Sequence, residues 1–166
     1  AQPTRIDLPT HTQLMRFDAR ERLTRRSLVY LQGDAQRTST SAYTHDLAGN
    51  VLSETDPAGQ VRSHRYNAFG QRIETTDALG GVARWRHDAR GNLIAYTDAA
   101  GRTHRFEHDR NDRIVAEIRP LGQTVRYRYD ALGNLAEKTD PDGTRHLHTH
   151  DARSRLVRSE VRRGDT

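Results

Sequence analysis

The stretch Tyr129-Asp130-Ala131-Leu132-Gly133-Asn134-Leu135 decides the fold, because versions of it return every 21 residues along most of the chain. An aromatic residue or histidine usually precedes an aspartate, and a turn-forming pair begins three residues after it. A fixed period in the twenties indicates stacked supersecondary units rather than one globular core. Phe17-Asp18 is an earlier copy, 28 residues ahead of the next. The motif positions with the 21-residue step are Asp46, Asn67, Asp88, Asp109, Asp130 and Asp151.

Each repeat carries two turn signals. The first is typically a Gly-Asn pair, and we expect both of its residues to supply the positive φ that a tight hairpin turn requires. The second is a glycine thirteen residues after the motif aspartate, often in Asp-Pro-x-Gly. Two turns per repeat leave two strands of about six residues, so each repeat is predicted to be a β-hairpin. First-turn positions are Gly49, Gly70, Gly91 and Gly133, degraded to Asp112 and Ser154; second-turn positions are Gly59, Gly80, Gly101, Gly122, Gly143 and Gly164.

The residues before each turn alternate in character, as expected of strands with one half-buried face. Aromatic residues and histidines occupy the positions one and three before the motif aspartate, and arginines occupy many of the positions between. The helical spacing of apolar residues finds no sustained match. The fold class is therefore all-β: tandem 21-residue hairpins forming a curved antiparallel sheet. The aromatic and imidazole columns are Phe17, His45, Tyr66, His87, His108, Tyr129 and His150, and Met15, Tyr43, His64, Trp85, Phe106, Tyr127 and His148.

Composition limits the size of any core. Hydrophobic residues make up 33%, charged residues 30%, and the mean hydropathy is −0.95, values that would also suit a disordered chain. The strict period and the modest net charge of +5 favour a folded single sheet, which needs less apolar material than two packed layers. A long open sheet ends in unpaired edges. We therefore expect a segment of something larger, or self-association through the edges.

The chain divides into a lead-in segment over 1–14, an irregular first repeat with an insertion over 15–42, and the regular array over 43–166. A polar loop, Gln32 to Ser41, is expected to hold the insertion. Cysteine is absent, which excludes disulfides and thiolate metal sites. No apolar run reaches the length of a membrane span, and the N-terminus lacks a signal-peptide core.

The motif resembles the YD repeats of the Rhs family, closely over 43–164 and loosely over 15–42. The run from Tyr129 to Asn134, followed by Thr139-Asp140-Pro141-Asp142-Gly143, carries the likeness. The resemblance implies a segment of a spiral, hollow shell that encloses the C-terminal toxin of a polymorphic toxin. It also implies a bacterial protein, cytoplasmic before export as a secreted effector, with type VI secretion and interbacterial competition as its setting. The implied partners are the remainder of the shell and a toxin polypeptide.

The residues themselves give no sign of catalysis. The histidines His146, His148 and His150 would share one straight strand face, where zinc ligands converge poorly. Each motif aspartate is better suited to accept hydrogen bonds from backbone N–H groups of its own turn. No nucleophile elbow or phosphate-binding glycine loop occurs. We predict a non-enzymatic module without metal or cofactor, whose motif residues, including Tyr66 and Tyr129, are structural.

An arginine-rich face leaves a second function open. Arginines with interleaved aromatic residues, together with a pI of about 10.1, suit a polyanion such as a nucleic acid or a glycan. Cross-strand pairing with the 22 acidic residues explains many of these arginines equally well. The candidate binding residues are Arg65, Arg84, Arg86, Arg105, Arg126 and Arg128.

Overall fold

A computed structural model describes residues 3–8 and 10–163, which divide into two compact units, the first ending at Arg84 and the second beginning at Trp85. The described residues form fifteen strands and no helix, and so nothing in them resembles a membrane-spanning helix. The all-β prediction is confirmed. The strands are β1 Thr4–Leu8, β2 His11–Phe17, β3 Leu23–Gln32, β4 Ala35–His45, β5 Val51–Thr55, β6 Val61–Tyr66, β7 Arg72–Thr76, β8 Val82–His87, β9 Leu93–Thr97, β10 Thr103–His108, β11 Ile114–Ile118, β12 Thr124–Tyr129, β13 Leu135–Thr139, β14 Arg145–His150 and β15 Leu156–Arg162.

In the first unit, β1 to β7 follow one another in chain order, each antiparallel to the next, and β7 pairs with the start of β8. In the second unit, β9 to β15 repeat the same arrangement. The strands after the motif turns begin at residues 51, 72, 93, 114, 135 and 156, a constant step of 21. The structure therefore keeps the register that the sequence period predicts.

The prediction of a polar loop over Gln32 to Ser41 is wrong. Instead, the strands β3 and β4 form one long hairpin joined by a two-residue turn, Gly33-Asp34. Gly33 has φ +62°, as the first central position of a type II′ turn requires. Ser and Thr side chains are compatible with strands when they pair across the ladder, and Ser27 and Thr40 do so at 2.9 Å. The insertion thus lengthens a hairpin.

Both turns of the regular repeat are built alike. In the motif turn, the Asp130 N–H donates to the Asn134 carbonyl at 2.9 Å, and the Gly133 N–H donates to the Asp130 carbonyl at 3.0 Å. This is a three-residue loop, a tight turn closed by one residue in the left-handed region. Only that one residue has positive φ, 89° at Gly133, so the expectation that both residues of the Gly-Asn pair would adopt it is wrong.

The motif turn adds a bulge that the second turn lacks. Arg128 pairs with Glu137, whereas Tyr129 pairs with Leu135, which leaves Ala136 as the extra residue on β13. At the second turn, the register runs without a shift from Thr97↔Thr103 to Tyr96↔His104. The same register shift occurs at the motif turns of Asp18, Asp46, Asn67, Asp109 and Asp151. Because the bulge recurs, these repeats restore the same side chains to the same face.

Burial is thin in both units, as expected of a single layer. Among the described residues, only His64 in the first unit and Ala95, Ala116 and Val125 in the second are buried. The aromatic and imidazole columns are half-buried, apart from His64, and the arginines between them are exposed. Trp85 and Tyr96 make a tilted ring contact on the aromatic face, with centroids 5.3 Å apart.

Candidate functional site: motif turns, arginine face and the Tyr43 cavity

The motif aspartates lie in the turns and are saturated with hydrogen bonds. Asp130 Oδ1 accepts from the backbone N–H groups of Leu132 and Asn134, each at 2.9 Å, and Oδ2 accepts from Asn134 Nδ2 at 3.0 Å. The Asn134 side-chain bond is the main reason that the pKa of Asp130 is lowered, against the opposing effect of partial burial. Equivalent acceptors are Asp18, Asp46, Asn67, Asp88, Asp109 and Asp151.

The residue that closes the turn is asparagine or arginine in the aspartate repeats and glutamine, Gln71, in the Asn67 repeat. Arg113 Nε donates to Asp109 Oδ2 at 2.8 Å, and its guanidinium lies 4.4 Å from the Tyr129 ring centroid. The Arg113 side-chain bond lowers the pKa of Asp109. Arg22 acts in the same way on Asp18, whose pKa falls from an ordinary 3.8 to about 2. A carboxylate held by a cation within its own turn is structural rather than poised for proton transfer.

Neighbouring repeats are joined by side chains of the motif. The Tyr66 hydroxyl donates to the Val51 carbonyl at 2.9 Å, and the Tyr129 hydroxyl donates to the Ile114 carbonyl at 2.8 Å. Between successive turns, Asn92 Nδ2 donates to Asp112 Oδ1 at 2.7 Å. These bonds fix the stacking of one hairpin on the next in each unit.

Histidines replace the motif tyrosine in four repeats, and their buried Nδ1 atoms have no hydrogen-bond partner among the described residues; they are His45, His87, His108 and His150. His146 Nε2 lies 2.7 Å from Asp140 Oδ2, and His148 Nδ1 lies 3.3 Å from Ser159 Oγ. Within the described ranges, no three potential metal ligands converge.

The predicted arginine face is exposed, and its members differ in pairing. Arg65 and Arg84 both approach Glu74, at 3.5 and 3.1 Å, and Arg128 lies 3.7 Å from Glu137. In contrast, Arg86, Arg105 and Arg126 have no ion-pair partner in the part of the chain that the structure describes. Ion pairing with glutamate therefore accounts for three of the six candidate arginines.

Sequence reasoning missed a cavity of about 210 Å³ in the first unit, which we call the Tyr43 cavity. Its polar lining was hidden because it depends on strand register, which places Tyr43 opposite Glu54 and Glu54 opposite Arg62. The sequence held one signal of this cavity: the position four residues after the turn aspartate is Gln60 in the Asp56 turn and Arg102 in the Asp98 turn. The lining residues are Ser41, Tyr43, Glu54, Thr55, Asp56, Gln60, Arg62 and Ala78.

Comparison with protein families identifies the repeat. A family model described as RHS Repeat matches the chain four times in overlapping register, at residues 45–82, 66–103, 87–124 and 108–145. Successive matches begin 21 residues apart, the same step as the strands. No curated protein matches the chain significantly.

Solved structures share the fold at low sequence identity. The chain is 16% identical to a chain of the TcdB2-TccC3-Cdc42 crystal structure over 90% of its length, with a TM-score of 0.71. A chain of the Photorhabdus luminescens Tc holotoxin pore is 16% identical over 94% of this chain, with a TM-score of 0.73. A chain of TcdB2-TccC3 without its hypervariable C-terminal region is 16% identical over 93% of this chain, with a TM-score of 0.74. The chain spans 9% of each of these chains.

Proposed function

Because the chain belongs to the RHS repeat family, we propose that it is a non-catalytic stretch of shell wall that encloses a toxin polypeptide for delivery. Its partners in this proposal are the remainder of the shell and the enclosed polypeptide. The setting is a secreted bacterial toxin, made in the cytoplasm before export. In this proposal, the toxin is exported by type VI secretion and acts in competition between bacteria.

The observation that carries the proposal is the uniform 21-residue hairpin register, in a chain whose fold is similar to Tc toxin structures at TM-scores of 0.71 to 0.74. Identical modules in sequence provide a wall, since each turn repeats the same contacts. A reaction would need groups in differing environments, whereas the motif carboxylates are held alike by their own turns. The motif aspartates and first-turn glycines are, in this proposal, the residues that set the wall.

Exposed apolar side chains at the turn tips support a larger assembly. Leu79 is 94% exposed and Phe69 is 83% exposed, although turns are normally polar. Covering these side chains with other protein would remove apolar surface from water, which is favourable. We infer that both edges of the hairpin array contact further wall. The apolar turn tips are Leu47, Phe69, Leu79, Leu121 and Leu132.

The proposal is tested in the full reading frame that contains this chain. We expect limited proteolysis of the purified protein to spare a C-terminal polypeptide that is rapidly digested when expressed alone. The variant Gly91→Val should open the wall and remove that protection, because valine resists the φ of +95° found there. Its matched control, Gly91→Asn, should retain protection. Equal digestion of the enclosed and isolated polypeptides would contradict the proposal.

Polyanion binding remains a second candidate because Arg86, Arg105 and Arg126 are exposed and lack ion-pair partners among the described residues. If this surface is functional, retention on heparin or DNA should fall steeply with salt. The double variant Arg105→Gln/Arg126→Gln should weaken retention more than Arg65→Gln, since Arg65 already faces Glu74. Equal weakening by the two variants, or retention independent of salt, would remove this candidate.

A further inference from the structure

We propose that the Tyr43 cavity binds the guanidinium group of an arginine side chain presented by a partner polypeptide. The inference rests on the proposed function in one respect, namely that a polypeptide contacts the wall. The cavity lies within the first unit, and β4, β5, β6 and the turn that follows β7 supply its lining. At about 210 Å³, it is smaller than the ~300 Å³ of a drug-sized pocket and suits one side-chain head group.

Only one of the two carboxylate oxygens of Asp56 accepts hydrogen bonds from its own turn. Its Oδ1 accepts from the backbone N–H groups of Ala58 and Gln60, each at 2.9 Å, as the turn requires. Oδ2 has no hydrogen-bond partner among the described residues. A cation held there would therefore leave the turn intact.

Two other repeats place a cation of their own beside the equivalent aspartate. Two repeats further along, Asp98 Oδ2 accepts from Arg102 Nε at 2.7 Å. Four repeats further along, Asp140 lies 2.6 Å from Lys138 Nζ and 2.7 Å from His146 Nε2. In the Asp56 turn, the position of Arg102 is taken by Gln60, an uncharged residue. The Asp77 turn likewise has an uncharged residue, Gly81, at this position. Of these two aspartates without an adjoining cation, only Asp56 lines the cavity.

A buried histidine provides independent evidence. His64 is only 5% exposed, and its Nδ1 lies 2.9 Å from Thr75 Oγ1. Its Nε2 has no hydrogen-bond partner and is directed at Glu54 Oε1, 3.5 Å away on the cavity wall. An orphaned buried nitrogen is costly unless something completes its surroundings. A guanidinium that draws the Glu54 carboxylate into one fixed position would provide that completion.

The charge of the cavity selects the ligand. Glu54 and Asp56 contribute two negative charges and Arg62 one positive charge. Burial and then the nearby Arg72 lower the pKa of the adjacent His64, which disfavours its charged form. Arg62 makes no ion pair with either carboxylate, although it lies opposite Glu54 in the ladder. The net charge of −1 favours a monocation. A guanidinium fits better than an ammonium because it can stack on Tyr43 while its N–H donors reach a carboxylate.

The test uses the whole chain and three short peptides that differ only at the central residue: arginine, citrulline or lysine. Binding is followed through the NMR signals of the Tyr43 ring and the His64 imidazole. We expect saturable shifts with the arginine peptide and binding weaker by about tenfold or more with citrulline, which keeps the shape but loses the charge. Lysine should fall between them. Equal binding of arginine and citrulline, or no saturable shift, would overturn the proposal.

Two matched variants separate filling the cavity from disturbing the fold. Gln60→Arg should recreate the Asp98–Arg102 pair, occupy the cavity and abolish peptide binding. Gln123→Arg is the control, because Gln123 holds the equivalent position in a turn that begins with Arg119 instead of an aspartate. Both variants should keep the β-sheet circular dichroism of the parent. Undiminished binding in Gln60→Arg, or equal loss in both variants, would contradict the assignment.

The outcomes are separable from those of the shell proposal. If the arginine peptide binds while the enclosed polypeptide is unprotected in the full protein, encapsulation fails and the cavity assignment stands. If protection is observed and no peptide shift occurs, the wall encloses its cargo without this contact.

Discussion

The turns at Asp109 and Asp130 have the same backbone path but reach it by different means. At Asp130, the left-handed position is Gly133 and the closing residue is Asn134, which bonds the aspartate through a neutral amide. At Asp109, the left-handed position is Asp112, at φ +61°, and Arg113 holds the aspartate with a charged fork. Both turns keep the aspartate and the hydrogen bond to its carbonyl.

The turn after the motif is therefore specified by the aspartate more strictly than by the glycine. A non-glycine residue in the left-handed region costs about 1–2 kcal/mol, although aspartate and asparagine tolerate it better than most. In the Asp109 turn, the Arg113 fork and the bond from Asn92 to Asp112 offset that cost. In the Asp130 turn, Gly133 adopts the left-handed conformation without that cost.

We expect the largest effect from Gly133→Val. At φ +89°, a β-branched residue is strained, and the new Cβ would also lie about 3.4 Å from Arg113 Nη1 in the neighbouring turn. The free energy of unfolding should fall by about 1–3 kcal/mol, measured by chemical denaturation. Gly133→Asn is the control and should lose clearly less. Equal stability of the two variants would show that the turn does not require this conformation.

A smaller loss of thermal stability is expected from Asp130→Ala, which removes the acceptor for two backbone N–H groups and one side-chain amide. Asp130→Asn should retain most of the stability, because Asn67 already accepts the same two backbone bonds in its own turn. The melting temperatures of the two variants give the comparison. If alanine and asparagine are equally tolerated, the carboxylate does not hold the turn.

Acid should weaken the motif turns in a narrow range. The pKa values of Asp109 and Asp130 are lowered in the folded chain, so their stabilising effect is present above the ordinary pKa of 3.8. It is lost as the pH falls below that value, because the unfolded chain then binds protons more readily. Asp109→Asn/Asp130→Asn should flatten the decline of melting temperature between about pH 4 and pH 2. An unchanged slope would mean that these carboxylates do not govern acid stability.

The smallest change is expected from Ser154→Gly, and it is a gain. Ser154 has φ +61°, as Asp112 does, but its side chain makes no hydrogen bond among the described residues. Glycine removes the strain and costs some entropy in the unfolded chain, for a net gain of about 0.5 kcal/mol. Asp112→Gly should gain less or lose stability, because it deletes the Asn92 contact. A greater gain at Asp112 than at Ser154 would contradict the role given to that contact.

The sequence predicted those features that depend on local chemistry and repetition. The strand starts after each motif turn, the positive φ at the first-turn position and the separation of the arginine and aromatic faces all follow from spacing. The length of β4 could not be predicted, because its run of threonine and serine mixes a residue that favours strands with one that favours turns. The Tyr43 cavity was beyond reach for a related reason. It requires knowing that Tyr43, Glu54 and Arg62 stand in one row across three strands.

The most direct test of the 21-residue hairpin as the unit of structure is a pair of internal deletions. Removing residues 109–129 joins His108 to Asp130 and restores the motif, so amide hydrogen exchange should show protected strands on both sides and one cooperative unfolding transition. Removing residues 109–118 deletes a single strand and its turn, which should abolish protection in the strands that flank the junction. If the one-strand deletion were as well protected as the whole-repeat deletion, the hairpin would not be the unit from which this chain is built.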